Sequence, residues 1–309
     1  MRVFVAGATG VLGRATVPRL IEAGHEVTGV ARSPEKAAQL VAQGARPVEV
    51  DLFDPAAVRA AVQDHDAVVH MATSIPPLTK GWRTKAWATN DRLRREGTPI
   101  LATAAREAGA TRFVKESVCF FYADNGDAWI DEDSPIDDQP FSAATLEAER
   151  AAVAFTGDGR TGVALRFGLF YSADARALEE SLSVARKGLG PMIGRPESYQ
   201  PSIHVDDAAT AIVASLTAPA GFYNVADDPI TKAEWNAAFA DAFGIDRRQH
   251  ATPKAVLAAG GKKVSVLAAS RRVSSARFMA ATGWSPVYAD AIIGLKAMAD
   301  HWRQQEDSK

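Results

Sequence analysis

Over the first 170 residues, short and mostly apolar runs alternate with longer stretches rich in alanine and charge. The apolar runs are VFVAG (3–7), EVTGVA (26–31), RPVEVD (46–51), AVVHMA (67–72), RFVKES (112–117) and GVALRFG (162–168). They are short and nearly continuous rather than alternating, the pattern of strands covered on both faces of a parallel sheet. The stretches between them predict helices with legible ends. Ser33 before Pro34 and Asp54 before Pro55 place an N-cap acceptor next to a proline at the first helical position. Gly24, Gly44 and Gly109 stand where helices should stop. Strand and helix in alternation, joined by right-handed crossovers, predict an α/β doubly wound parallel sheet.

Beyond residue 170 the rhythm loosens. GLGPMIGRPESYQPS is a loop by its glycines and prolines. IHVDDAATAIVASL predicts a short strand and a helix, and GFYNVADD a further strand. TKAEWNAAFADAFG opens with Thr231 and Glu234 at capping-box spacing, and residues 275–305 are mostly helical. The second half predicts a smaller mixed lobe covering the carboxyl ends of the strands.

Composition narrows the partners. With 309 residues and 47% hydrophobic content the chain buries a sizeable core. The 35 basic and 37 acidic residues nearly cancel to a net charge of -2, so no global field favours nucleic acid or an anionic membrane, and a small molecule is the expected partner. MRVFVAG is too short for a signal-peptide core and no uninterrupted apolar run is long enough to span a bilayer. The single cysteine, Cys119, fits a reducing compartment, and the cytoplasm is the expected location. No group of His, Cys, Asp or Glu has metal-site spacing.

The strongest motif is VFVAGATGVLGRA. Gly7, Gly10 and Gly13 fall at G-x-x-G-x-x-G spacing between a first strand and a first helix, where a tight turn, close backbone approach and close helix packing bring a pyrophosphate to a helix N-terminus. Gly7, Thr9, Gly10, Val11, Leu12, Gly13 and Arg14 form this cradle. At the end of the second strand, VARSPEK has no carboxylate to bind a ribose 2'-hydroxyl. Arg32 stands there instead, about 20 residues beyond the cradle, as a site for a 2'-phosphate. The expected cofactor is NADP(H) in preference to NAD(H), which stays open as the alternative.

With these motifs the chain resembles the extended short-chain dehydrogenase/reductases, the NAD-dependent epimerase/dehydratase family. The likeness runs through GATGVLG, VDLFD, DAVVHMA, LRFGLFY, IHVDDAA and YNVADD. It implies a dinucleotide-binding Rossmann domain at 1–170 and 203–226, with a substrate-binding lobe at 171–202 and 227–309. It also implies that Asp51 and Leu52 border the adenine and that Met71, Ala72 and Thr73 line the path to the nicotinamide ribose. Phe167, Gly168 and Leu169 approach the nicotinamide, and the assembly that the resemblance implies is a homodimer.

The family's usual chemistry relays a proton through Tyr-x-x-x-Lys and a nearby hydroxyl. Here P-Y-x-x-x-K aligns with PFSAAT, so Phe141 replaces the tyrosine and Thr145 the lysine. Val118 takes the hydroxyl position, although a one-residue slip supplies Ser117. No tyrosine in the chain is followed four residues later by lysine. Phe cannot donate a proton and Thr carries no charge, so the resemblance is to atypical members lacking the usual relay.

Ser117 and Tyr122 are the candidate replacements. Ser117 is weighed against a hydroxyl bonded to backbone at the strand end, and Tyr122 against an aromatic plug beside Phe120 and Phe121. Cys119 reads as a small buried group. His70 reads as structural, as do His204, Asp206 and Asp207. The loop DNGDAWIDEDSPIDD is expected to be solvated, with Trp129 a candidate cover for substrate. Three functions stay open: an NADP(H)-dependent oxidoreductase acting on a small carbonyl or activated alkene, a non-redox epimerase, isomerase or cyclase with bound nucleotide, and an NADP(H)-sensing regulatory protein.

Overall fold

A computed structural model describes residues 1–76, 83–137, 140–173, 177–246, 249–252 and 266–307. Its elements run β1 (Arg2–Ala6), α1 (Val11–Glu22), β2 (Glu26–Val30), α2 (Pro34–Ala42), β3 (Arg46–Val48), α3 (Pro55–Val62), β4 (Ala67–His70), α4 (Ala88–Arg92), α5 (Thr98–Glu107), β5 (Arg112–Val118), β6 (Trp129–Ile130), α6 (Pro140–Val153) and β7 (Thr161–Phe167). There follow β8 (Leu169–Tyr171), α7 (Ala177–Ala185), β9 (Ser202–His204), α8 (Val205–Ser215), β10 (Gly221–Val225), α9 (Lys232–Ala242), β11 (Arg272–Val273) and two C-terminal helices, Ala276–Thr282 and Ala291–Asp307.

Seven strands form one parallel sheet in the order β10-β7-β5-β4-β1-β2-β3. The chain winds outward in one direction from β1 to β3 and in the other from β4 to β10. The point of reversal lies between β1 and β4, where a ligand crevice opens in doubly wound sheets. The period of two along each strand divides the core. Val3, Val5 and Val69 turn to one face, against Leu12 and Val17 of α1 and Ile212 of α8. Phe4, Ala6 and Val68 turn to the other, against Val58 and Val62 of α3 and Leu101 of α5. A third cluster joins Tyr171, Leu182, Trp235, Phe239, Leu295 and Met298 in the second half of the chain.

The predicted caps form. The Ser33 side chain accepts from Lys36 N, and Asp54 accepts from Ala56 N and Ala57 N. Thr231 and Glu234 make the reciprocal capping box. Gly24, Gly44 and Gly109 end their helices with φ of 82°, 85° and 76°.

Two expectations are corrected. The third run, 46–51, is a strand only over Arg46–Val48. It is the sheet edge, paired with β2 alone, and by Asp51 the chain is turning, with that carboxylate accepting from Phe53 N. The acidic loop is not wholly solvated either. Glu132 is buried, its carboxylate accepting from Asn224 N at 2.7 Å and pairing with Arg277 at 3.1 Å. Trp129 is exposed, with the Arg272 guanidinium 4.3 Å from its ring centre. Among the described residues no helix is long and apolar enough to cross a membrane.

Candidate cofactor crevice and the buried polar floor beside it

β1 ends in a turn that only glycine can make in this setting. Gly7 has φ of 93°, and a Cβ there would lie 2.5 Å from the Met71 carbonyl carbon at the end of β4. A Cβ on Gly13 would lie 2.1 Å from Gly7 O, so α1 packs directly on the turn. Gly10 N donates to Gly7 O at 3.0 Å, while Gly10 itself is exposed. The turn therefore presents bare backbone at the N-terminus of a twelve-residue helix, a cradle that fits a pyrophosphate. Thr9, Val11 and Arg14 are half-buried around it, and Leu12 is buried.

The other expected cofactor residues lie at or beyond the carboxyl ends of β2, β3, β4 and β7. Arg32 is exposed just beyond β2. Asp51 is exposed and Leu52 buried after β3. Met71 is buried and Ala72 and Thr73 half-buried after β4, with Met71 Sδ 3.8 Å from the Thr16 hydroxyl. Phe167 and Gly168 are buried at the end of β7, and Leu169 is exposed. Gly168 passes so near the backbone of Pro201 and Ser202 that a Cβ would meet it at 2.8–2.9 Å.

The positions of the missing relay lie on and beside α6. The backbone of Phe141 is helical, and its side chain lies outside the described residues. Thr145 is buried, and its hydroxyl accepts a hydrogen bond from Arg94 Nη1. Val118 is half-buried at the end of β5.

Ser117 and Tyr122 are drawn into a closed network. The Ser117 hydroxyl donates to Glu149 Oε1 at 2.6 Å, a side-chain partner rather than the backbone one expected. Glu149 takes a two-pronged contact from Arg166, at 3.0 Å from Nε and 2.8 Å from Nη2. Arg166 Nη1 donates to the Tyr122 hydroxyl at 2.7 Å, and that hydroxyl donates to Asn224 Oδ1 at 2.8 Å. Ser117, Arg166 and Asn224 sit side by side on β5, β7 and β10 by sheet register, and all are buried. Burial pushes the Tyr122 hydroxyl well above the usual tyrosine range despite the neighbouring Arg166. The tyrosine also packs on Phe121, 5.3 Å between ring centres.

One row back, Lys115 on β5 pairs with His70 on β4. Lys115 Nζ donates to Glu116 O at 2.5 Å and lies 3.4 Å from both the Glu116 carboxylate and His70 O. Burial lowers the Lys115 ammonium to about 8, against the opposing pull of Glu116. His70 is buried, with its pKa held well below the ordinary value first by burial and then by Lys115. Cys119 is buried with Sγ 3.0 Å from Arg166 O, and burial drives its thiol pKa upward.

His204 caps α8 by accepting from Asp206 N and packs between Tyr171 and Tyr288. Asp207 accepts from Val287 N and Tyr288 N at 2.8 and 2.9 Å, and Asp206 pairs with Arg19 at 2.8 Å. These carboxylates tie segments together, as expected. The residues missed from sequence were Lys115, Arg166, Glu149, Asn224 and Arg94. A charge inside an otherwise apolar strand, as in RFVKES and VALRFG, was the available signal.

The fold and cradle can be set beside known proteins. The model of the NAD dependent epimerase/dehydratase family matches residues 3–226. The chain belongs to that family. It is 34% identical over 310 residues to a 3-diazoavenalumate denitrifying reductase of a Streptomyces species, covering 96% of this chain and 99% of that one. It is 28% identical over 305 residues to the human epimerase family protein SDR39U1, covering 96% and 99%. The solved structure of that human protein with NADPH superposes with a TM-score of 0.81 at 29% identity, covering 97% of this chain and 99% of that chain. A UDP-glucose 4-epimerase of Thermotoga maritima shares the fold, at 19% identity and a TM-score of 0.80, covering 99% of this chain and 100% of that chain. This epimerase/dehydratase-family chain therefore carries an NAD(P)-binding Rossmann fold, and its family includes reductases and epimerases.

Proposed function

We propose that the protein is an NADP(H)-dependent reductase of a small organic electrophile that takes a hydride without a proton from α6. The observation that carries this is a complete glycine cradle in a chain whose α6 holds Phe141 and Thr145 at the relay positions. The Thr145 hydroxyl is already bonded to Arg94. When bound, the nicotinamide supplies a hydride.

The cradle backbone holds the pyrophosphate, and Arg32, exposed beyond β2, binds the 2'-phosphate in preference to a 2'-hydroxyl. The NADPH in the solved structure of the human relative supports that preference. Ser117 and Tyr122 hold Glu149, Arg166 and Asn224 in place rather than meeting substrate, since both are buried and bonded within the network. The exposed Leu169 and Ile75 offer apolar contact to a substrate at the strand ends.

An acceptor that loses a leaving group as it takes the hydride suits such a site. In an aryl diazonium the hydride forms the new C–H bond and the C–N bond pair leaves with dinitrogen, so no proton is needed. The Streptomyces relative, by its name a denitrifying reductase of a diazo compound, supports this class.

The test follows NADPH consumption over a panel of aryl diazonium salts, carbonyls and activated alkenes, with dinitrogen release measured alongside. Dinitrogen released in step with NADPH is the expected result. Product formed with no net NADPH consumption would favour the non-redox reading. Nucleotide binding with no turnover on any substrate would favour the sensor.

A further inference from the structure

Among the described residues, two buried donors near the end of β4 have no acceptor. Asn90 lies in α4, and Arg94 stands four residues on, in a π-helical turn over Leu93–Gly97 that continues the same helix. The spacing puts both side chains on one face. Asn90 is fully buried and Arg94 is 6% exposed. Asn90 Oδ1 accepts from Ser74 N at 3.1 Å, which ties it to the segment leaving β4. Arg94 Nη1 reaches across to Thr145 on α6. Among the described residues, Asn90 Nδ2 and Arg94 Nε have no hydrogen-bond partner.

An unmet buried donor is costly, and more so on a charged group, so two together in one place need an explanation. π-turns are rare and concentrate at functional sites. Arg94, buried within this turn, also acts electrostatically on His70 and Lys115. Asn90 and Arg94 thus link the segment leaving β4, whose Met71 lies against the Gly7 turn, to the Thr145 position of α6. A ligand that meets these atoms must offer oxygen acceptors, because the groups left unmet on Asn90 and Arg94 are N–H donors.

We propose that Arg94 and Asn90 form the seat for the nicotinamide-side ribose, with Arg94 supplying through the Thr145 contact the positive charge that no lysine on α6 provides. The charge has moved from α6 to the neighbouring helix. This rests on the crevice holding NADP(H), as proposed above.

The experiment measures binding of NADPH and of 2',5'-ADP, which lacks the nicotinamide half, to the full chain by titration calorimetry. In Arg94→Met, NADPH affinity falls roughly 10-fold or more, the loss of one charge-assisted hydrogen bond, while 2',5'-ADP affinity is unchanged. In Arg94→Met/Thr145→Lys, much of the NADPH affinity returns. Arg94→Lys keeps the charge without the planar fork and gives a smaller loss, confined to NADPH, should the methionine variant not fold. Equal weakening of both ligands, or none, overturns the seat while leaving the cofactor assignment intact. Failure of the wild-type chain to bind either ligand overturns both.

Discussion

The Ser117 hydroxyl donates to the Glu149 carboxylate across 2.6 Å, with both groups buried between β5 and α6. The same carboxylate is the counter-charge of Arg166, whose side chain is 4% exposed. Removing one charge leaves the other buried and unpaired, which costs about 3–5 kcal/mol, whereas removing both together costs far less. Glu149→Leu is therefore expected to lose several times more stability than Glu149→Leu/Arg166→Met. Urea unfolding of the two variants measures the difference, and an equal loss in both would mean that Arg166 does not depend on Glu149.

The Tyr122 hydroxyl separates a structural tyrosine from a catalytic one. It accepts from Arg166 and donates to Asn224, so Tyr122→Phe is expected to cost about 1–3 kcal/mol of stability and to leave turnover with NADPH near the wild-type rate. A general acid would behave oppositely, with turnover falling roughly 10²–10⁴-fold. Steady-state kinetics on a substrate found in the panel decides between them.

The fold was legible because its signals are local. Apolar runs, proline-led caps and glycine stops each depend on a few neighbouring residues, and the cradle at Gly7, Gly10 and Gly13 lies within one strand–turn–helix unit. The floor of the site was not legible, because its contacts join distant parts of the chain. Ser117 meets Glu149, Tyr122 meets Asn224 and Arg94 meets Thr145 only once β4, β5, β7 and β10 lie in order. Glu132 misled for the same reason. It sits in an acidic run that looks solvated, yet the sheet edge at Asn224 and the Arg277 guanidinium take it out of water.

Gly24 and Gly13 separate backbone cost from steric cost. Gly24 has φ of 82° and open space where a Cβ would go, so Gly24→Ala is expected to cost about 1–2 kcal/mol with nucleotide affinity unchanged. Gly13→Ala instead drives a methyl into Gly7 O at 2.1 Å and displaces the cradle itself. Loss of measurable NADPH binding is expected, and normal binding by the Gly13→Ala variant would place the pyrophosphate elsewhere.

Arg32 is exposed, so its removal should report on ligand rather than on fold. Arg32→Ala is expected to weaken NADPH binding by roughly 10–100-fold, one hydrogen bond to a charged group, and to leave NADH binding and melting temperature as they were. Paired titrations with the two nucleotides test it. A wild-type chain that prefers NADH, or an unchanged NADPH affinity in the variant, would remove Arg32 from the site.

Lys115 gives the protein a pH dependence of definite sign. Burial lowers its ammonium from the ordinary 10.5 to about 8 in the folded chain, with Glu116 opposing the shift. Below about pH 8 both folded and unfolded chains hold the proton, and the burial cost is carried in full. Between about 8 and 10.5 the unfolded chain binds more protons than the folded one, so stability contributed at this position rises with pH. The slope is at most about 1.4 kcal/mol per pH unit. Other groups titrate in the same window, and Lys115→Met, which lacks only this one, removes them by difference. The stability of wild type relative to Lys115→Met is expected to be level from about pH 6 to 8 and to climb above it, measured by urea unfolding at each pH. A level difference up to about pH 10 would mean that the Glu116 carboxylate holds the ammonium as well as water does, and that the row beneath the crevice stays charged throughout.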